Sequence, residues 1–277
     1  IQEKGFTEVV YADDCNAFKR FDVVVPNSTV LDEAKDCQTE VHKWGDANRV
    51  AFDPVKESLH VIAARNTDSA NFLTLGVNFD CGLTMVDAIR ETSTEGQRRV
   101  RMLLRSSKYH CDAQLLLQYK AQVVSYLEYR TPAVYHATDT ALLGLDSVQD
   151  QFLRKLGVSA LDALMVFNLA PLRTRRDVAM LGLVHRATLK KGPPQLWKFF
   201  QLATTVLAYR TRGAERRHNR QLKEHRTSRF LEVLRRSALG LVAVYHLLPQ
   251  SVVAEVIVHG FQGRLVEELQ GRARGGC

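Results

Sequence analysis

The sequence predicts an α+β fold, with a small sheet region in front and a mostly helical body behind. Three observations predict it. Short runs of β-branched and aromatic residues, separated by polar turns, recur through the first 80 residues, which is the pattern of paired strands. From about residue 82 apolar residues recur at three- and four-residue spacing, the period of amphipathic helices. Charge divides at the same place: residues 1–80 hold 8 Lys/Arg against 14 Asp/Glu, a net of −6, and the remainder holds 30 against 16, a net of +14.

Each element is justified by local pattern. Residues 6–11 and 18–25 read as two β-runs with Asp13 and Asp14 between them, a plausible hairpin. After "PNST", Thr29 with Asp32 and Glu33 in the first turn opens a helix. Val30, Ala34, Cys37, Val41 and Trp44 form its apolar face, so Trp44 is expected in the core, and Gly45 is expected to end it. "RVAF" and "SLHVIAA" read as a strand pair around "DPVK", and "NFLTLGVNFD" as a further extended piece. Thr84 and Asp87 are expected to cap a helix running toward Lys108, and Asp112 to open another carrying Leu116, Tyr119, Val123 and Tyr126 on one face. Pro132 should end or kink that helix. Asp139 or Thr140 begins a helix with Leu145, Val148, Phe152 and Leu156, and "PLRTRRDVAMLGLVHRATLKKG" forms the next, stopped by Gly192-Pro193-Pro194. "QLWKFFQL" is a short amphipathic piece. The arginine-dense stretch 206–229 reads as a linker or arm, "ALGLVAVYHLLP" as strand-like, and "SVVAEVIVHGFQGRLVEEL" as helical. The resulting organisation is 1–80, a sheet covered by a helix; 81–205, a helical domain; and 206–277, a basic arm with a small strand and helix segment.

The totals exclude several classes. The chain has 277 residues and 45% apolar content, as a globular protein does, and no run of about 18 apolar residues that would span a membrane. Five scattered cysteines without CxxC spacing and nine scattered histidines indicate neither a disulfide framework nor a zinc site, and fit a reducing intracellular compartment. His110-Cys111 has no partner at nucleophile or metal spacing and reads as a surface turn. There is no P-loop and no GxGxxG. The chain opens Ile-Gln-Glu-Lys, without Met or an apolar signal core, and reads as a fragment or processed product. The basic body implies a polyanionic partner, nucleic acid first, with a merely well-solvated surface as the alternative.

Asp13 and Asp14 sit side by side in an otherwise apolar run. Burying two repelling carboxylates is costly, so the pair belongs in an exposed turn, where Val9, Val10 and Phe18 can pack while the carboxylates face an open cleft. Such a pair offers hard oxygen ligands to Mg²⁺; an ordinary acidic turn is the alternative. Clustered arginines could hold phosphates without reading sequence: Arg98, Arg99, Arg101 and Arg105 on one helix; Arg173, Arg175 and Arg176 on another; Arg216, Arg217 and Arg220 in the arm.

The motif "YADD", preceded by apolar β-residues, resembles the catalytic hairpin of reverse transcriptases. The segments beyond the motif resemble that family in the same order. "HKWGDANRVAFDPVKES" looks like the helix–strand element after the hairpin, with Trp44, Asn48, Phe52, Pro54 and Lys56 at its recurring positions. "FLTLGVNFD" looks like the turn that supports the primer strand. "LLQYKAQVVSYLEY", "LDSVQDQFLRKLGV", "LAPLRTRRDVAMLGLVHR" and "YHLLPQSVVAEVIVHGFQGRL" resemble the thumb region of non-LTR (LINE-type) retrotransposon enzymes. The resemblance covers nearly the whole chain.

It implies the end of a palm with the YADD hairpin in residues 1–80, a thumb-like domain in 81–205, and RNA-directed DNA synthesis by two-metal nucleotidyl transfer. Asp13 and Asp14 would hold Mg²⁺ or Mn²⁺, Tyr11 would lie beside the primer end, and Lys56 would neutralise or protonate the leaving pyrophosphate; a solvated lysine is the alternative for Lys56. Leu75 and Gly76 would contact the primer strand, and Arg98, Arg101, Arg105, Arg216, Arg217 and Arg220 nucleic acid. RNA template, DNA primer and deoxynucleoside triphosphates are the implied partners, with no membrane, and the nucleus the implied place of action. Only ten residues precede Tyr11. The upstream metal-binding aspartate and nucleotide-binding segment of the family are not among them, so the isolated chain is expected to be inactive. A non-catalytic nucleic-acid-binding module, decayed or co-opted, and an unrelated helical scaffold are the other readings.

Overall fold

The computed structural model describes residues 2–12, 14–63, 70–203, 218–223 and 236–275. The chain is mixed α+β and divides into two compact units, Ile1–Thr84 and Met85–Cys277.

Among its described residues the first unit holds two small antiparallel hairpins and one long helix. Strands β1 (Thr7–Tyr11) and β2 (Asp14–Phe18) pair with Thr7 opposite Phe18 and Tyr11 opposite Asp14. The second strand therefore starts at Asp14, earlier than the 18–25 run predicts. With Ala12 at φ 53°, a two-residue connection suffices, because left-handed backbone at the turn matches the twist of the strands. Helix α1 spans Asn27–Asn48, opening ahead of Thr29, with Pro26 at its N-cap and a left-handed Arg49, φ 59°, at its C-cap.

Gly45 does not end α1. It is buried within the helix, and a Cβ there would lie 2.6 Å from the Val50 carbonyl oxygen and 2.7 Å from the Phe52 ring. The chain after the helix folds back onto this bare spot. Of the predicted face, Cys37 is buried and Val30, Ala34 and Val41 are half-buried, while Trp44 is 58% exposed instead of in the core. The strand pair expected around "DPVK" is absent from residues 51–63. Glu57 accepts hydrogen bonds from Gln38 and, at 2.9 Å, from His42, so this segment is tied to α1, while Lys56 N–H bonds back to Asp53 in a turn. A hairpin of β3 (Phe72–Thr74) and β4 (Val77–Phe79) closes the unit. Its aromatic ladder stacks His60 on Phe72 at 4.5 Å and Phe72 on Phe79 at 5.4 Å.

The second unit is helical. Helix α2 (Val86–Arg105) begins after a left-handed Met85, not at a Thr84 cap. Helix α3 (Asp112–Tyr119) starts with Cys111 and Gln114 as a capping box, widens into a π-turn at Lys120–Val124, and continues as α4 (Ser125–Tyr129). Pro132 sits in the first turn of α5 (Thr131–Val134), the position where a missing N–H costs nothing. Helix α6 (Asp139–Leu156) is capped by Thr138, whose hydroxyl accepts from the Ala141 N–H. It packs on α2, and Tyr119 stacks on Phe152 at 4.1 Å and 7°. Of the predicted faces, Leu116, Tyr119, Val123, Leu145, Val148 and Phe152 are buried, and Tyr126 and Leu156 are half-buried. Helices α7 (Ala160–Met165), α8 (Leu172–Thr188) and α9 (Pro194–Trp197) come next.

The stretch predicted as strand-like is helix α10 (Leu241–His246), followed by α11 (Gln250–Val253) and α12 (Val258–Gly275). Leu241, Val242 and Tyr245 are buried and join Val184, Phe200, Leu222 and Phe261 in one core. The i, i+1, i+4 spacing serves a helix packed on α8; only the β-branched composition reads as strand. Most of the predicted linker 206–229 lies outside the described residues. Its described part, 218–223, is no free arm: Leu222 is 2% exposed and pairs in a β-bridge with Leu202.

Candidate functional site

Two places carry the candidate chemistry, one in each unit. In the first unit the β1–β2 ribbon presents its tip to solvent. Asp14 opens β2 directly opposite Tyr11, and Tyr11 is 65% exposed. Asp13 lies outside the described residues. Val9, Val10 and Phe18, expected to pack, are all exposed, because an isolated two-stranded ribbon has no neighbouring strand to cover them. The ribbon is moored at its base. The Lys19 ammonium pairs with Glu33 of α1 at 2.5 Å and lies over the rings of Phe6 and Phe21 at 5.5 and 5.1 Å.

Lys56 is not drawn to the hairpin. Its side chain is 84% exposed and its ammonium lies 3.9 Å from Asp53. Among the described residues no three His, Cys, Asp or Glu side chains gather to hold a metal ion. Of the implied ligands only Asp14 is described, and one exposed carboxylate does not make a Mg²⁺ centre. Leu75 and Gly76 form the turn between β3 and β4, at φ 49° and 73°. Left-handed backbone suits Gly76; at Leu75 it is strained by about 1–2 kcal/mol.

No protein-family model, curated protein or solved structure matches this chain.

In the second unit the predicted arginines separate into two kinds. Arg98 and Arg99 both bind Glu95, at 2.6 and 2.9 Å. Arg98 and then Arg99 hold the Glu95 carboxyl down to about 2. Arg99 also lies 4.0 Å over the Tyr126 ring. Arg101 and Arg105 are exposed on the same helix, and no ion pair ties either one among the described residues. A shallow groove of about 430 Å³ along α2 is lined by Arg90, Glu91, Thr94, Glu95, Arg98 and Arg101. Arg90, which pairs with Asp87 at 2.7 Å, was not among the predicted contacts; its four-residue steps through Thr94 to Arg98 are the signal that could have found it.

The arginines opening α8 are mainly structural. Arg175 forms a two-pronged pair with Glu128, and Arg176, 5% exposed, binds both oxygens of Asp146 at 2.6 and 3.1 Å. Only Arg173 of that group is exposed. Arg220 donates to the Val253 carbonyl at 3.0 Å, so it fastens the 218–223 segment to α11. Arg216 and Arg217 lie outside the described residues. No described helix is long and apolar enough to cross a membrane.

Proposed function

We propose that this chain is the C-terminal part, palm end plus thumb, of an RNA-directed DNA polymerase of the LINE type, and that alone it binds nucleic acid without extending a primer. The observation that carries the reading is the two-residue turn between Tyr11 and Asp14, which sets a carboxylate at the exposed tip of an apolar ribbon. The ordered motifs after it support the same reading. In that reading Asp13 and Asp14 bind the metal, Tyr11 and the Leu75-Gly76 turn approach the primer, and Lys56 meets the pyrophosphate once substrate has drawn it from Asp53. The second reading, a nucleic-acid-binding module with no catalytic past to complete, is favoured by the unpaired Arg101 and Arg105 alone.

Primer extension with Mg²⁺, an RNA template and a DNA primer tests both. The 277-residue chain is expected to retain the primer–template and yield no product; processive synthesis would sink the claim of inactivity. A longer gene product that includes an upstream aspartate-bearing strand is expected to extend the primer, and to lose this on Asp13→Asn or Asp14→Asn. A longer product that binds and never extends leaves the binding module.

A further inference from the structure

Away from both candidate sites, the core of the second unit contains histidines whose ring nitrogens are all committed. His185 on α8 is 0% exposed and His218 is 3% exposed. His185 Nε2 lies 2.8 Å from the Glu255 carbonyl, and its Nδ1 lies 2.8 Å from the Tyr245 hydroxyl. His218 Nε2 lies 2.9 Å from the Tyr245 carbonyl, and its Nδ1 lies 3.1 Å from the Arg220 N–H. A carbonyl oxygen only accepts, so Nε2 carries the hydrogen on both rings. Nδ1 must then accept: from the Tyr245 O–H on His185, and from the Arg220 N–H on His218. His246 Nε2 accepts from the Leu222 N–H at 3.0 Å. Protonating His218 Nδ1 would turn an acceptor into a donor facing the Arg220 N–H, which can only donate, whereas the Tyr245 hydroxyl facing His185 Nδ1 can reverse its role.

Nothing nearby compensates such a charge fully. His185 faces the Tyr245 phenol of α10, the Glu255 carboxylate after α11, Lys191 after α8 and Arg220 of the 218–223 segment. His218 faces His246 and Tyr245 of α10, and Arg220. Burial pushes both rings below their ordinary 6.5, and Arg220 pushes both the same way; the accepting carbonyls and Glu255 pull back only in part.

We propose that His218 acts as an acid-sensitive clasp, which holds residues 218–223 against α10 while its ring is neutral and releases them when the ring protonates. Other groups bind the clasped segment as well: Asn219 N–H donates to the Gln250 side-chain oxygen at 2.9 Å, Leu222 N–H to His246 at 3.0 Å, and the Lys223 ammonium to the Gln201 side chain at 3.1 Å. Ala203 N–H donates to Gln221 at 2.8 Å, Lys223 N–H to Gln201 at 2.9 Å, and Arg220 to Val253. Above 6.5 the clasp equilibrium is flat. Below it the released His218 ring takes up a proton that the clasped ring refuses, so closure weakens by up to about tenfold per pH unit, until the clasped ring itself titrates. Opening would expose Leu222 and free the Arg220 guanidinium.

Amide hydrogen exchange on the full chain, read residue by residue from pH 7.5 to pH 5 and corrected for intrinsic rates, tests this. Arg220, Leu222, Lys223 and Ala203 are expected to lose protection as pH falls below 6.5, while amides in α2 and α6 keep theirs. Nitrogen NMR is expected to find the His218 ring neutral and Nε2-protonated at pH 7. His218→Gln, which can still donate and accept without titrating, is expected to lower the pH slope by about one proton. Protection unchanged to pH 5, loss spread evenly over residues 85–203, or a His218 ring titrating at or above 6.5 would each overturn the proposal. Should His218→Gln fail to fold, ring titration and exchange in the wild-type chain decide it.

Discussion

At the scale of single residues, the chain shows how much one missing atom directs. Gly45 lets Val50 and Phe52 lie against the last turn of a helix, beside an exposed Trp44. Gly45→Ala would place a methyl where a carbonyl and a ring now sit. Overpacking of this kind costs about 1–3 kcal/mol, and better helix propensity returns about 1, so a net loss on the order of 1 kcal/mol is expected in thermal unfolding of the first unit. A variant as stable as the parent would mean that the Phe52 segment yields freely. The apolar face of α1 was legible in the sequence as far as Val41; the exposure of Trp44 was not, because it depends on a returning loop that no periodicity encodes. Likewise the exposure of Asp14 was legible from the cost of burying paired carboxylates. The neglect of Lys56 by the hairpin was not, since its partner Asp53 is fixed by a turn.

At the scale of elements, helices are legible in the sequence and strands are far less so. Helices α3, α6 and α8 carry their own signals: a cap, a face and a stop. Strand β2 and the expected pair around "DPVK" depend on which distant segment supplies hydrogen bonds, and composition does not say. The arginines opening α8 resemble a phosphate-binding run in sequence, yet two of the three fix helix to helix. Arg176→Ala would leave Asp146, whose side chain is 21% exposed, with a nearly buried charge unmatched. Removing one partner of a buried pair costs about 3–5 kcal/mol, so a drop toward that size is expected in denaturant unfolding of the second unit. Asp146→Asn together with Arg176→Met, which removes both charges, is expected to recover most of it.

At the scale of the whole molecule, the proposed nucleic-acid binding rests on charge. Residues 1–80 carry a net of −6 and the remainder +14, yet many of the basic groups on α2 and α8 are neutralised by carboxylates of their own unit. The unpaired remainder on α2 is what a phosphate backbone would meet. Replacing Arg101 and Arg105 by Gln is expected to weaken RNA–DNA duplex binding uniformly across sequences, and to flatten its salt dependence by about one unit of slope per arginine. An unchanged slope would remove α2 from the interface. The division into two units also has a practical side. The chain has two tryptophans, and they fall one to each unit. Trp44 is largely exposed, whereas Trp197 is half-buried with its indole N–H donated to the Gly192 carbonyl at 3.0 Å. Their fluorescence should therefore differ in colour and in access to iodide, giving each unit its own intrinsic optical probe without a label.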